Sequence, residues 1–322
     1  MSLSQMQVFN QYVQPAVIET LAQMVEKFNA SSRGAIVLTT TGFTGDFLQQ
    51  SFWAAVHSAQ RRVDRYAAQG AASATDLTAL KMSAVKIAGG FGPIRFEPSQ
   101  MTWLSKPTAE GIEVISRNLA EALMRDQLNS AIIALRAAIA NQATATNDVS
   151  ASAGMTYGAI NDGHAKFGDA SGNIIANVMT GAVYHKLIGL NLSNAQQLFQ
   201  AGNVTVVDML GKAIVVTDAP GLYVAGAPNK SHVLGLVAGA ATVFDAGDLI
   251  TNIETSNGQT RIETTMQADY SFGLALKGYT WDEANGGKSP TDAEIATATN
   301  WDKVAADIKN TAGVVTIANA AT

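Results

Sequence analysis

The residues with a capacity for chemistry are four histidines, two glycine-bearing loops and scattered carboxylates, in a chain of 322 residues that contains no cysteine. Without cysteine there are no disulfides, no thiolate nucleophile and no cysteine-ligated zinc. His57, His164, His185 and His232 stand in four separate segments, with no HExxH pattern and no closely spaced pair, so a packing or surface role is expected for each. No G-x-S-x-G elbow occurs, and no GxxxxGK followed by Ser or Thr. The glycine cluster from Gly89 to Gly92 lacks a lysine, and Arg95 stands where a dinucleotide fingerprint needs its last glycine. Asp169-Ala-Ser-Gly-Asn173 resembles the start of a calcium loop, but the sixth and twelfth places hold Ile174 and Thr180 in place of glycine and glutamate, so a helix N-cap is the better account. No catalytic residue, metal site or cofactor is expected.

The elements that surround these residues follow from periodicity. Gln7 to Phe28 carries Val13, Val17, Leu21, Met24 and Phe28 at helical spacing, with Pro15 expected in the first turn. Ala35 to Thr41 is strand-like, and Asp46 to Val63 reads as a second amphipathic helix, so the first sixty residues suggest an arm more than a compact lobe. Arg61, Arg62 and Arg65 form the one local basic cluster, expected as a solvated helix end. Gln69 to Thr75 is a small-residue linker. Leu80 to Ile87 and Ile94 to Leu104 read as the two strands of a projecting hairpin, with the glycine-rich Ala88 to Pro93 as its tip.

From Pro107 to about Asn141 the apolar positions Ile112, Ile115, Leu119, Leu123, Leu128, Ile132, Leu135 and Ile139 predict a helix spanning about 50 Å. Beyond the small, polar stretch from Thr144 to Gly154 the pattern is mixed. Helices are expected over Gly172 to Ile188, capped by Asp169 or Ser171, and over Asn194 to Ala201. Strands follow at Val204 to Val207, Ala213 to Thr217, Leu222 to Ala225, Val233 to Val237, Thr260 to Trp281 and Val314 to Ala318. Asn285 to Asp292 is turn-rich.

Composition limits the function classes. Hydrophobic residues make up 47%, but the weakly polar runs stop short of the roughly 20 apolar residues a membrane helix needs. The first residues carry no basic cluster ahead of a small-residue cleavage site, so export through a signal peptide is not expected. A net charge of -5 argues against sequence-wide nucleic-acid reading. Charged residues are only 15%, below the roughly 25% of ordinary domains, which suggests that much of the surface is covered by other copies.

Taken in order, these segments resemble the subunit plan of tailed-bacteriophage major capsid proteins with the Hong Kong 97 fold. The motifs that carry the resemblance are Ser32-Arg33-Gly34-Ala35, Gly45-Asp46-Phe47, the spine-like run from Asp126 to Ile139, the helix-like Ile175 to Leu187 ending in Tyr184-x-x-Leu187, and Leu210 to Pro220. The resemblance implies an α+β capsid fold with an N-terminal arm over residues 1–65, an extended hairpin loop over 66–106, a peripheral domain with the spine helix over 107–154 and 249–284, and an axial domain over 155–248 and 285–322. It implies a structural, non-enzymatic shell protein located in the virion and assembled in the host cytoplasm. Partners implied are further copies in pentamers and hexamers, a separate scaffolding protein, portal and decoration proteins, and enclosed DNA that is not read by sequence. No long charged helix precedes the arm, so a fused scaffolding domain is not expected.

Some relatives crosslink subunits through a hairpin lysine. Lys81 and Lys86 lie in the corresponding segment, but no matching asparagine or glutamate can be placed. Lys86, Phe91, Arg95 and Glu97 are the expected contacts between subunits. Three alternatives remain at this stage: a bacterial encapsulin shell, which shares the fold; a soluble α/β hydrolase or transferase, which the missing motifs disfavour; and an exported surface-layer or filament protein.

Overall fold

The computed structural model describes residues 3–39, 45–53, 62–68, 70, 79–96, 109–198, 211–245, 247–257, 260 and 262–321. Two mixed sheets share one apolar core with a long helix between them. That helix, α2 (Ala109–Ala140), is the element the sequence marks most strongly. Its Ala131, Ile132, Leu135, Ala138 and Ile139 are fully shielded from solvent, as the 3.6-residue stripe requires.

The first helix, α1 (Leu3–Ser31), packs along α2 and buries Val17, Leu21 and Val25 in the same core. The helical part of the expected arm therefore shares the core, because an apolar stripe of this width is buried against the nearest apolar helix. Pro15 lies well inside α1 and not in its first turn; it occupies an exposed position, where solvent can serve the carbonyl that loses its donor. The stretch after Asp46 is strand β2 (Phe47–Trp53) and not a helix, because Phe47 and its neighbours pair in register with β3.

β3 (Ala79–Phe96) corrects the hairpin. No turn occurs at Ala88 to Pro93; the strand runs through, paired on one side with β2 and on the other with β11 (Glu263–Leu276). The glycines serve a different need. A Cβ on Gly89 would lie 2.7 Å from the ring of Tyr270, and one on Gly90 would lie 2.8 Å from the Asp269 carboxylate, both on the opposing strand. Gly92, at φ +99°, absorbs the register shift between Met266 and Ala268. The antiparallel pair that does exist joins Phe47–Trp53 to Ala79–Val85.

β1 (Ile36–Thr39) pairs in parallel with β9 (Ala241–Asp245), and β10 (Ile250–Ser256) pairs with β11, completing a first sheet ordered β1-β9-β11-β3-β2 with β10 beside β11. The second sheet is ordered β4-β14-β8-β5-β6, from β4 (Thr146–Asp148), β14 (Gly313–Asn319), β8 (Lys230–Val237), β5 (Ile174–Met179) and β6 (Ala213–Val216), with β7 (Tyr223–Val224) on β8. Residues 172–188 are not one helix: Ile174 to Met179 form β5, as β-branched residues inside a sheet favour, and the helix α4 begins at Gly181 and continues to Leu198. The separate helix expected at Asn194 thus begins inside α4.

A helix not expected from the sequence, α3 (Tyr157–Ala165), is capped by Thr156 accepting from the Ala159 N–H. With α4 it covers the face of the second sheet remote from α2, in a small cluster of Met155, Ile160, Met179, Val183, Leu187 and Val233. A ribbon of β12 (Tyr279–Trp281) and β13 (Trp301–Lys303) closes the other end, with Trp281 and Trp301 edge to face at 4.8 Å. Next to it, α5 (Asp292–Ile295) opens with a Thr291–Glu294 capping box. The strand expected at Val204 to Val207 and the Arg61 end of the basic cluster lie outside the described residues.

Candidate functional site

β3 and its neighbours hold the residues expected to act between subunits. Lys86 pairs with Asp248 at 3.2 Å, and Arg95 pairs with Glu263 at 3.2 Å. Phe91 packs against Tyr270, ring centres 5.2 Å apart, and the Tyr270 hydroxyl donates to Asp126 of α2 at 2.7 Å. Phe91 and Tyr270 thus tie the strand to α2 within the chain. The view of this segment as remote from the core is corrected, since Val85 and Ile87 of the same strand are buried. Glu97 lies outside the described residues. Past Ile87 the strand opens to solvent: Ile94 is half exposed and the Arg95 side chain is 67% exposed in spite of its ion pair.

The carboxylates behind these pairs were not singled out in the sequence. Glu283 accepts from Lys81 at 2.8 Å, from the Ser83 hydroxyl at 2.6 Å and from Gln49 at 2.9 Å, so one turn after β12 clamps β2 and β3 together. The Lys81 and Ser83 donors hold the Glu283 carboxyl below the usual carboxylate range. Burial pulls the Asp248 carboxyl up, but hydrogen bonds from Ser271 and Lys86 outweigh it and leave the group below its ordinary value. Lys288 does the same for Asp46. Ser271 apart, the partners are some 160 to 240 residues from one another in the chain, a separation at which no local motif could announce them. Lys86, Gly89, Gly90, Asp248, Asp269 and Tyr270 border an open hollow of about 640 Å³.

The histidines are placed where they pack. His164 of α3 faces Asn177 of β5 at 2.9 Å, against the glycine backbone of Gly235. His232 of β8 is buried, and burial together with the nearby Arg136 of α2 lowers its pKa to about 4. His185 lies on α4, and His57 is outside the described residues. Among the described residues no three metal-ligating side chains converge. Asp169, the first position of the calcium-like run, pairs with Lys309 across the sheet edge and caps no helix. No helix of the described residues is long and apolar enough to cross a membrane.

The arrangement is therefore one of packing, ion pairs and open strand edges. Among the described residues β10 and β2 each pair on one side only, with seven residues apiece, and β10 exposes Ile250. Unpaired strand edges and exposed apolar side chains are features that other chains can cover.

Comparison with known proteins gives one family and one fold. A family model described as Gp13-like, major capsid protein 13-like, matches residues 5–315. Among solved structures, the capsid asymmetric unit of cyanophage Pam1 is 13% identical with a TM-score of 0.51, covering 89% of this chain and 88% of that one. The structure of Mycobacterium phage Adephagia is 10% identical with a TM-score of 0.51, over 88% and 87% of the two chains. That of Microbacterium phage Oxtober96 is 11% identical with a TM-score of 0.50, over 76% and 84%. No curated protein sequence matches the chain.

Proposed function

The chain belongs to the major capsid protein 13-like family and is a structural subunit of a phage head shell, and we propose that it acts there without catalysing a reaction, closing around double-stranded DNA as pentamers and hexamers. The observation that carries the finer reading is the pair of half-used strands, β2 and β10, at the margins of a sheet already anchored to α2. Such edges gain their missing hydrogen bonds from neighbours, and closed rings are the usual result of head-to-tail contacts. A separate scaffolding protein, a portal and decoration proteins are the further partners of this reading. In it the region around α2 and β11 is the peripheral domain, the second sheet with α3 and α4 is the axial domain, and the projecting loop is the β2–β3 hairpin rather than residues 66–106.

Within that plan, Lys86 and Phe91 brace β3 from inside the subunit, while Arg95 carries its outer end to a neighbour. The test is to express the protein with and without its scaffolding protein and to follow assembly by light scattering and negative-stain microscopy. Closed shells or their rings are expected. The charge reversal Arg95→Glu is expected to leave circular dichroism and melting unchanged and to lower shell yield. A stable monomer at high concentration with scaffold present would overturn the shell reading, and normal shells from Arg95→Glu would remove β3 from the contact.

A further inference from the structure

A second surface lies at the other end of α2. Arg136 is one turn before the helix terminus, where a cation is favoured by the helix dipole. It forms one wall of a cleft of about 320 Å³, with Ile133 on the same helix, Pro220 on the segment leading into β7, Tyr223 and Val224 of β7, and Ala296 after α5. The cleft is rigidly bounded on one side. A Cβ on Gly221 would lie 2.8 Å from Cγ1 of Ile133, so only glycine lets this segment close against the spine.

Arg136 has no anion. Its Nε is buried without a hydrogen-bond partner, and no carboxylate pairs with it among the described residues. On its inner side stands His232, a neutral ring with no negative charge to offer. Burial alone pushes the guanidinium pKa down. A partly desolvated cation in this position is costly until something pairs with it, and the described residues supply no anion. The chemistry of the occupant follows. Arg136 is the one cation among the residues lining the cleft, and its neighbours are apolar or small, whereas a nucleic-acid backbone is held by several cations together. An arginine and a half-exposed tyrosine framing an apolar slot is the composition of the energetic centre of a protein–protein contact.

We propose that this cleft receives an acidic side chain of a second copy of the chain, with Arg136 as the anchor and Ile133, Pro220 and Tyr223 as the apolar rim. The inference rests on the shell reading. Self-association supplies the partner at high local concentration, and each copy carries 26 acidic against 21 basic residues, so carboxylates are in surplus.

The wild-type chain is first assembled with its scaffolding protein. If it forms no shells, the shell reading fails and this inference with it. If it does, Arg136→Met, which keeps the stem and removes the charge, is assembled beside it. The expected result is an unassembled subunit that melts at or above the wild-type temperature, with shell yield reduced about tenfold or more, the scale on which losing one interface anchor acts. Unchanged yield would overturn the inference while leaving the shell reading intact, and so would a melting temperature several degrees lower, which would make Arg136 a folding residue. A photo-crosslinking side chain in place of Tyr223 identifies the occupant. A crosslink to an Asp- or Glu-bearing peptide of a second copy is expected; crosslinks only to DNA, only to the scaffolding protein, or none at all, would overturn the inference. Once that acid is known, Arg136→Glu combined with its change to arginine should restore shells that Arg136→Glu alone abolishes.

Discussion

The two sheets are of similar strand number but opposite in character. In the second, β8 is buried from Ser231 to Val237 and β14 from Gly313 to Ala318, and the sheet has helix on both faces. In the first, β10 alternates exposed and half-covered residues from Ile250 to Glu254 and is exposed from there to Ser256, and the far half of β3 stands in solvent, held by the Arg95–Glu263 pair and by Phe91 on Tyr270. The inner strands of the second sheet are shielded as folded, although β4 and β6 at its margins also pair on one side. The first keeps backbone groups and side chains in reserve, and its stability is expected to come as much from neighbouring subunits as from its own packing.

Three measurements on the unassembled subunit test that contrast. The largest effect is expected from Leu234→Ala, which empties a fully buried site at the centre of the second sheet. It should cost about 2–5 kcal/mol and lower the melting temperature accordingly. A loss below 1 kcal/mol by urea titration would mean that this sheet is not the rigid half.

Acid should act next, and on the same sheet. His232 has its folded pKa lowered to about 4 from 6.5, and His164 is also lowered, by burial, so the native state favours the neutral rings. Their contribution is fully present above pH 6.5 and is lost as the pH falls towards 4, by about 3 kcal/mol for His232 at 1.36 kcal/mol per unit. Melting curves from pH 7 to pH 4.5 should show the wild type falling faster than His232→Gln, and parallel curves would refute the assignment.

The smallest effect is expected from the first sheet. Lys288→Ala removes the pair with Asp46, in which both side chains are more than half exposed, and its effect on melting should be at the limit of detection. A loss of several degrees would show that the rim of the first sheet holds itself together.

Legibility in the sequence followed the range of the interaction. α2 was read to within two residues because its signal is a repeat along one face, and β8, β11 and β14 were found as runs of β-branched and aromatic residues. The glycines from Gly89 to Gly92 misled because a turn and a strand making room for a cross-strand tyrosine use the same residues, and Tyr270 lies about 180 positions away. Ile174 to Met179 misled for a related reason: a short apolar run has no period of its own until its neighbours in the sheet are known. Of the contact residues expected from the sequence, Lys86, Phe91 and Arg95 are in place on β3, but their partners Asp248, Tyr270 and Glu263, like Arg136 over its cleft, follow only from the fold.

β14 sits between β4 and β8, although these partners are separated from it by roughly 165 and 75 positions in the chain. The middle of the second sheet is thus laid down last. At ribosomal rates of about 5–20 residues per second, β4 waits on the order of 10 to 30 s for the strand that joins it to β8. Until residue 319 has been made, a nascent chain can display its first sheet but cannot complete its second. The open edges of the first sheet are therefore formed on a chain whose second sheet is not yet whole.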